Sequence, residues 1–267
     1  MDSERLKKII AYSQTHRDEI ASCVKRFYSY AEIDSNSEML NLLQIVRPFL
    51  MRKGFYMFEI PLADEEIGAI SYKGDGLGYV VLNTSLPASN MIFAIAHEVY
   101  HILFQKSLYY PKAEFAEEYY EHEEEFAANL FAGMLLMPET GFVRMYSKFL
   151  SESNGDIQDT FLMLMSYYKV PYMAVLIRSL ELETCDYSKI TKAILNVSKD
   201  QIVNRMAELW LDRSVMQPSY SDDSERMEQM VVKRGEEYIE NGYISRQSVQ
   251  AALSNMRTLS KRIKGGA

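Results

Sequence analysis

Cysteine is scarce in this chain. Cys23 and Cys185 are the two it has, far apart and each alone. That spacing builds no disulfide framework, which excludes the small cross-linked secreted domains. Long apolar runs are missing too: none approaches the ~20 residues that span a bilayer. Met1-Asp2-Ser3-Glu4 opens no secretory leader, so a cytoplasmic protein is expected. Positive charge is in deficit, and a net charge of −8 argues against general affinity for nucleic acid. There are no internal repeats. With 267 residues the chain can bury a sizeable core, as one large domain or as a core with a helical extension. Histidine is rare as well, with four residues, and two of them fall in one short motif.

That motif is His97-Glu98-Val99-Tyr100-His101, an H-E-x-x-H sequence inside an apolar run from Met91 to Phe104 that reads as helix. A spacing of four is slightly more than one helical turn, so both imidazoles leave the same face and can close on one metal ion. Glu98 sits about 100° round from His97, near enough to reach a water beside the metal rather than the metal itself. The competing reading is a pair of buried histidines hydrogen-bonded on an amphipathic helix.

Catalytic zinc usually takes three protein ligands and keeps a fourth position open. An H-E-x-x-H-x-x-G-x-x-H extension would require glycine at 104 and histidine at 107, where Phe104 and Ser107 stand, so that class is excluded. A second helix offers a carboxylate instead, in the run Glu123-Glu124-Glu125-Phe126-Ala127-Ala128-Asn129 that continues to Pro138. Its small residues Ala128, Ala132 and Gly133 would let it approach another helix closely. Glu125 and Asn129 are four apart and share a face, so Glu125 can bind the metal while Asn129 orients a ligand. His122 is the rival by ligand softness, with Glu121, Glu123 and Glu124 behind it. Most of the acidic run suits a solvated helix start, where carboxylates complement the helix dipole. The spacing to Asn129 favours Glu125.

These residues resemble the ImmA/IrrE family of zinc metallopeptidases. The resemblance runs from Ile95 to Leu103, through Glu125-x-x-x-Asn129-x-Phe131-Ala132, to Leu135-Leu136-Met137-Pro138, and covers roughly residues 55 to 182. It implies His97, His101 and Glu125 as ligands of Zn2+ and Glu98 as the catalytic base. It also implies an intracellular protease that cuts a protein partner, with a helix-turn-helix transcriptional repressor as the expected substrate. One departure is plain. The family usually has glycine before the second histidine, and Tyr100 stands there, which bears on local packing more than on chemistry. The implied reaction is metal-assisted hydrolysis, with Glu98 taking a proton from water and passing it to the leaving amine. Tyr109, Tyr110, Tyr119, Tyr120 and His122 are near the motif in sequence as possible oxyanion donors, and none is assigned that role.

The expected fold class is α+β: a zincin-like core with a small sheet packed on the H-E-x-x-H helix, then a mainly helical C-terminal part. Strands are expected at 55–60, 69–72 and 79–83, with a turn at 73–76. Pro87 to Asn90 should supply loop and cap for the motif helix. The sheet edge could receive an extended substrate peptide as an added strand, or the sheet could serve only to pack the helix. Helices are expected at 3–31, 37–50, 142–150, 157–168, 171–180, 198–211, 225–240 and 245–263. A Ser198-x-x-Gln201 capping box opens the sixth of these. The expected division is N-terminal helices over 1–53, the metallopeptidase core over 54–150, a helical region packed on it over 151–216, and a linker with C-terminal helices over 217–267. The pair at 157–180 has the outline of a helix-turn-helix but no basic recognition face. The end of the chain is basic, with Arg246, Arg257, Lys261, Arg262 and Lys264. Two other functions stay open at this level: a metal-binding regulator with little turnover, and a DNA-associated regulator using the C-terminal helices. No direct nucleic-acid or membrane binding is expected, and the oligomeric state is not legible.

Overall fold

The computed structural model describes residues 3–34, 39, 41–74, 77–105 and 123–265. Helix α1 (Ser3–Ala31) buries Leu6, Ser13, Ile20 and Phe27, a seven-residue spacing that keeps one stripe inward over its whole length. The Ser13 hydroxyl is satisfied by the carbonyl of Ile10. Phe27 meets Phe49 of α2 (Leu42–Arg52) and Phe131 edge-on, which ties the N-terminal helices to the centre of the fold. The second helix was expected at 37–50. It starts at Leu42 and runs through Pro48 to Arg52, because Phe49 and Leu50 beyond the proline are buried.

Three strands follow, β1 (Phe55–Ile60), β2 (Ala69–Gly74) and β3 (Leu77–Asn83), in the order β1-β3-β2. β1 lies parallel to β3, from Phe55↔Gly78 to Ile60↔Asn83. β2 and β3 are antiparallel, with Gly74 opposite Leu77. The strands reach further into the expected turn than composition suggested, taking in Lys73, Gly74, Leu77 and Gly78. Gly78 is required there, since a Cβ would overlap the Phe55 ring of the neighbouring strand. Alternation along the strands supplies two cores. Met57, Val80 and Leu82 face the main core, whereas Phe58, Ile60 and Val81 face a smaller one closed by Met227 and Met230.

Helix α3 (Ala88–Phe104) packs on β2 and β3 and carries the H-E-x-x-H motif. It takes in Ala88 to Asn90, expected as loop, and Pro87 stands at its N-cap without a side-chain cap bond. Helix α4 (Glu123–Leu136) packs against α3 and α1 and ends before Pro138, as expected. The family of helices continues with α5 (Glu139–Glu152), α6 (Ile157–Tyr168), α7 (Tyr172–Glu181), the short α8 (Lys192–Leu195) and α9 (Lys199–Glu208). Asp156 caps α6 by accepting from the Asp159 amide, and Lys169 ends it in the left-handed region at φ 56°. Both bonds of the Ser198–Gln201 capping box are made. The axes of α6 and α7 bend by 107°, but α7 packs on α1 and α4. Its Arg178 points inward, donating from Nε to the Met137 carbonyl and from Nη1 to Glu181.

The stretch 217–224, expected as a linker, lies against the sheet. The Ala88 amide donates to Gln217, Tyr220 donates to Thr84, and the Asp223 and Glu59 main chains are bridged through the Asp223 amide and carboxylate. This occupies main-chain groups on the outer edge of β1. Helices α10 (Ser224–Glu240) and α11 (Arg246–Ile263) then pair, and α10 covers the second face of the sheet. Two of the five cations of the basic tail are engaged within the chain, Arg257 with Glu228 and Lys264 with Asp222. No disulfide joins Cys23 and Cys185. Among the described residues no single helix is long and apolar enough to cross a membrane. The fold is α+β and zincin-like: a three-stranded sheet on the motif helix, enclosed by helices.

Candidate metal centre

The two imidazoles project from one face of α3, as their spacing requires, with Nε2 atoms 3.0 Å apart. Helix α4 runs beside α3, and its first turn brings in the third donor. Glu125 Oε2 lies 3.2 Å from His97 Nε2, and Oε1 lies 3.5 Å from His101 Nε2. One donor atom from each of the three residues falls within 4.8 Å of the others. Of the expected rivals, Glu123 is exposed at the helix start, and Glu124 accepts a hydrogen bond from Gln105. His122, Glu121 and the tyrosines at 109, 110, 119 and 120 lie outside the described residues.

The far side of each ring is held by an amide. His97 Nδ1 is 3.1 Å from Asn129 Oδ1, the orienting contact expected from the four-residue spacing of Glu125 and Asn129. His101 Nδ1 is 2.8 Å from Gln105 Oε1, while Gln105 Nε2 donates to Glu124 at 2.6 Å. Because the Gln105 nitrogen serves Glu124, its oxygen faces the ring and Nδ1 of His101 carries the hydrogen. Asn129 imposes the same tautomer on His97. Both Nε2 atoms then present lone pairs toward each other and toward a carboxylate. Three converging acceptors repel one another unless a cation lies among them, so the residues present fit a metal ion. The same negative surroundings that would draw a metal ion also draw a proton. Burial alone would lower the pKa of His97, yet the hydrogen bond its protonated ring donates to Glu125 and the charges of Glu98 and Glu125 raise it above the usual histidine value.

Glu98 is 8 % exposed, and its Oε2 has no hydrogen-bond partner among the described residues. A buried carboxylate oxygen left without a donor is costly, and such atoms are found where a water or substrate group is to be met. Tyr100, in place of the family's usual glycine, packs away into the contact between α3 and α4. Its ring centroid is 5.7 Å from that of Phe131 and 5.9 Å from that of Phe104. Desolvation there pushes its pKa up to about 12.

Sequence reasoning missed Gln105. The signal was present, since it stands four residues after His101 just as Asn129 stands four after Glu125. It also misread Gly133. Ala128 and Ala132 are buried at the helix contacts, but a Cβ at Gly133 would meet nothing within 4 Å among the described residues, so that glycine does not serve close approach to any of them.

No curated protein and no solved structure matches the chain. Residues 50–180 match the family model described as the IrrE N-terminal-like domain, which spans all three strands, the motif helix and the helix that supplies Glu125. On that match, with the H-E-x-x-H and Glu125-x-x-x-Asn129 motifs inside it, residues 50–180 are a domain of the ImmA/IrrE family of peptidases.

Proposed function

We propose that this protein is an intracellular zinc-dependent endopeptidase that hydrolyses a peptide bond in a partner protein, with a helix-turn-helix transcriptional repressor as the expected substrate. The observation that carries the reading is the pairing of three converging lone-pair donors with a Glu98 carboxylate oxygen, on the residue after His97, that has no hydrogen-bond partner among the described residues. His97 and His101 through Nε2 and Glu125 through its carboxylate would hold the ion. Zinc, when bound, acidifies water and polarises a carbonyl. Glu98 accepts a proton at Oε2 and later delivers it to the leaving amine, work that contributes about a hundredfold to ten-thousandfold in rate. Asn129 and Gln105 fix the imidazole tautomers, so that no reorganisation accompanies binding. The reading of the partner as a repressor rests on the family resemblance.

Metal analysis beside cleavage assays tests this. Glu98→Gln should keep the metal and lose cleavage, while His97→Ala and Glu125→Ala should lose the metal. Retained metal with undiminished cleavage in Glu98→Gln refutes the mechanism. Metal lost from His97→Ala but kept by Glu125→Ala moves the third-ligand assignment to another residue.

A further inference from the structure

The wall that carries Glu125 and Asn129 continues into a cavity of about 270 Å3 bounded by α1, α3, α4 and α7. Its lining is mostly apolar: Ile9 and Tyr12 from α1, Phe93 from α3, Leu130 from α4, and Met173 and Ile177 from α7. Phe93 stands one turn before His97, and Leu130 directly follows Asn129, so the two helices that present the donors also wall the cavity. The charged groups lie at its edge: Arg178 and Glu181 meet each other at 2.9 Å, and Arg5 is an exposed residue of the rim. Gly133 accounts for the room. It is buried, yet a Cβ there meets nothing within 4 Å among the described residues. A residue that is buried but uncrowded, on the helix face next to the site, marks space kept open rather than space filled by packing.

We propose that this cavity determines specificity by taking the side chain of a large apolar residue (Leu, Ile, Met or Phe) next to the bond that is cut. The inference rests on the peptidase reading above. A chain whose carbonyl reaches His97, His101 and Glu125 passes the mouth formed by Glu125 and Asn129. A large apolar side chain dropped there leaves water for an apolar wall, which favours it over glycine by roughly 10- to 100-fold. A charged side chain placed against the apolar wall would lose its hydration there.

The test compares N-acetyl-leucine hydroxamate with N-acetyl-glycine hydroxamate binding to the zinc-loaded full chain, by calorimetry. The leucyl compound should bind about 10- to 100-fold tighter. Gly133→Leu, which extends a side chain into the cavity from a position where a Cβ has room, should erase that preference while keeping its zinc. Gly133→Ala should fall between. Equal affinity for the two compounds in the wild type, or a preference unchanged in Gly133→Leu, overturns the proposal. Failure of both compounds to bind sinks the metal-centre reading on which it rests. A parallel digest of a random peptide pool separates the last case. Cuts should cluster beside Leu, Ile, Met and Phe, and shift toward Gly, Ala and Ser in Gly133→Leu. Leucyl preference with no peptide cut by the wild type would leave the pocket standing and refute turnover.

Discussion

Gln105 and Asn129 make the same kind of contact to the two imidazoles, but their surroundings differ, and that difference sets a measurable ordering. The His101 side chain is 3 % exposed and its contact to Gln105 is part-buried. In Gln105→Ala the Nδ1 hydrogen of this largely buried ring loses its acceptor, and an unsatisfied buried donor costs about 1–3 kcal/mol. The Glu124 carboxylate loses its donor as well. Zinc affinity should fall roughly 10- to 100-fold, the range expected for groups that orient a metal-ligating histidine. The His97 side chain is 16 % exposed, and Asn129 is itself exposed. Water can replace the amide in Asn129→Ala, and only the net value of one hydrogen bond is at stake, about 0.5–1.5 kcal/mol. That substitution should cost less than about tenfold. Competition with a chromophoric chelator at fixed pH reads both constants, and circular dichroism checks that the helices persist. The exchanged pair Gln105→Glu/Glu124→Gln should restore much of the affinity, because the carboxylate accepts the same hydrogen and the amide nitrogen at 124 keeps donor and acceptor matched between the two side chains. Equal losses in the two alanine variants, or zinc bound as tightly by Gln105→Ala as by the wild type, would refute the argument from burial and tautomer.

The remaining predictions concern the frame that holds the site. Arg178 and Glu181 have side chains 4 % and 6 % exposed, so Arg178→Met strands a buried carboxylate and strips the Met137 carbonyl of its donor. Urea denaturation should show a loss of about 3–5 kcal/mol, with a smaller loss in Arg178→Met/Glu181→Leu. Trp210 sits at φ 55° and is 95 % exposed, so Trp210→Gly relieves left-handed strain without losing packing. It should stabilise the chain by about 0.5–1 kcal/mol after the entropy of glycine is subtracted, read as a raised melting temperature. Ser198→Ala breaks the capping box of α9 and should cost about 1 kcal/mol in the same assay. Truncation after Met216 removes Met227 and Met230 from Phe58, Ile60 and Val81 and frees the outer edge of β1. The shortened protein should bind a hydrophobic dye and aggregate, and a monomeric truncated form with wild-type melting would show that the C-terminal pair is dispensable.

The helix carrying His97 and His101 was legible because its information is local. A four-residue spacing within an apolar periodic run leaves the two rings only one common direction. The capping box at Ser198 and the stop at Pro138 are local in the same sense. Glu125 was reached through a second spacing, to Asn129, while its approach to the imidazoles depends on α4 lying beside α3. No short-range rule encodes that approach. It follows from Ala128, Ala132 and the rings of Tyr100, Phe104 and Phe131 packing between the helices. Gln105 escaped notice because amides at helix ends are common and the bond to Glu124 crosses between two segments.

What the sequence by itself determined was the chemistry on offer: two imidazoles on one helix face with a carboxylate about 100° round from the first, acids at the start of another helix, and alternating strands with two apolar faces. Tertiary structure decided which acid faces the imidazoles, that β1 runs parallel to β3, that α10 covers the sheet, and that a cavity opens beside Gly133. Those outcomes depend on contacts between residues far apart in the chain, where the burial of one surface is settled only by what arrives to cover it.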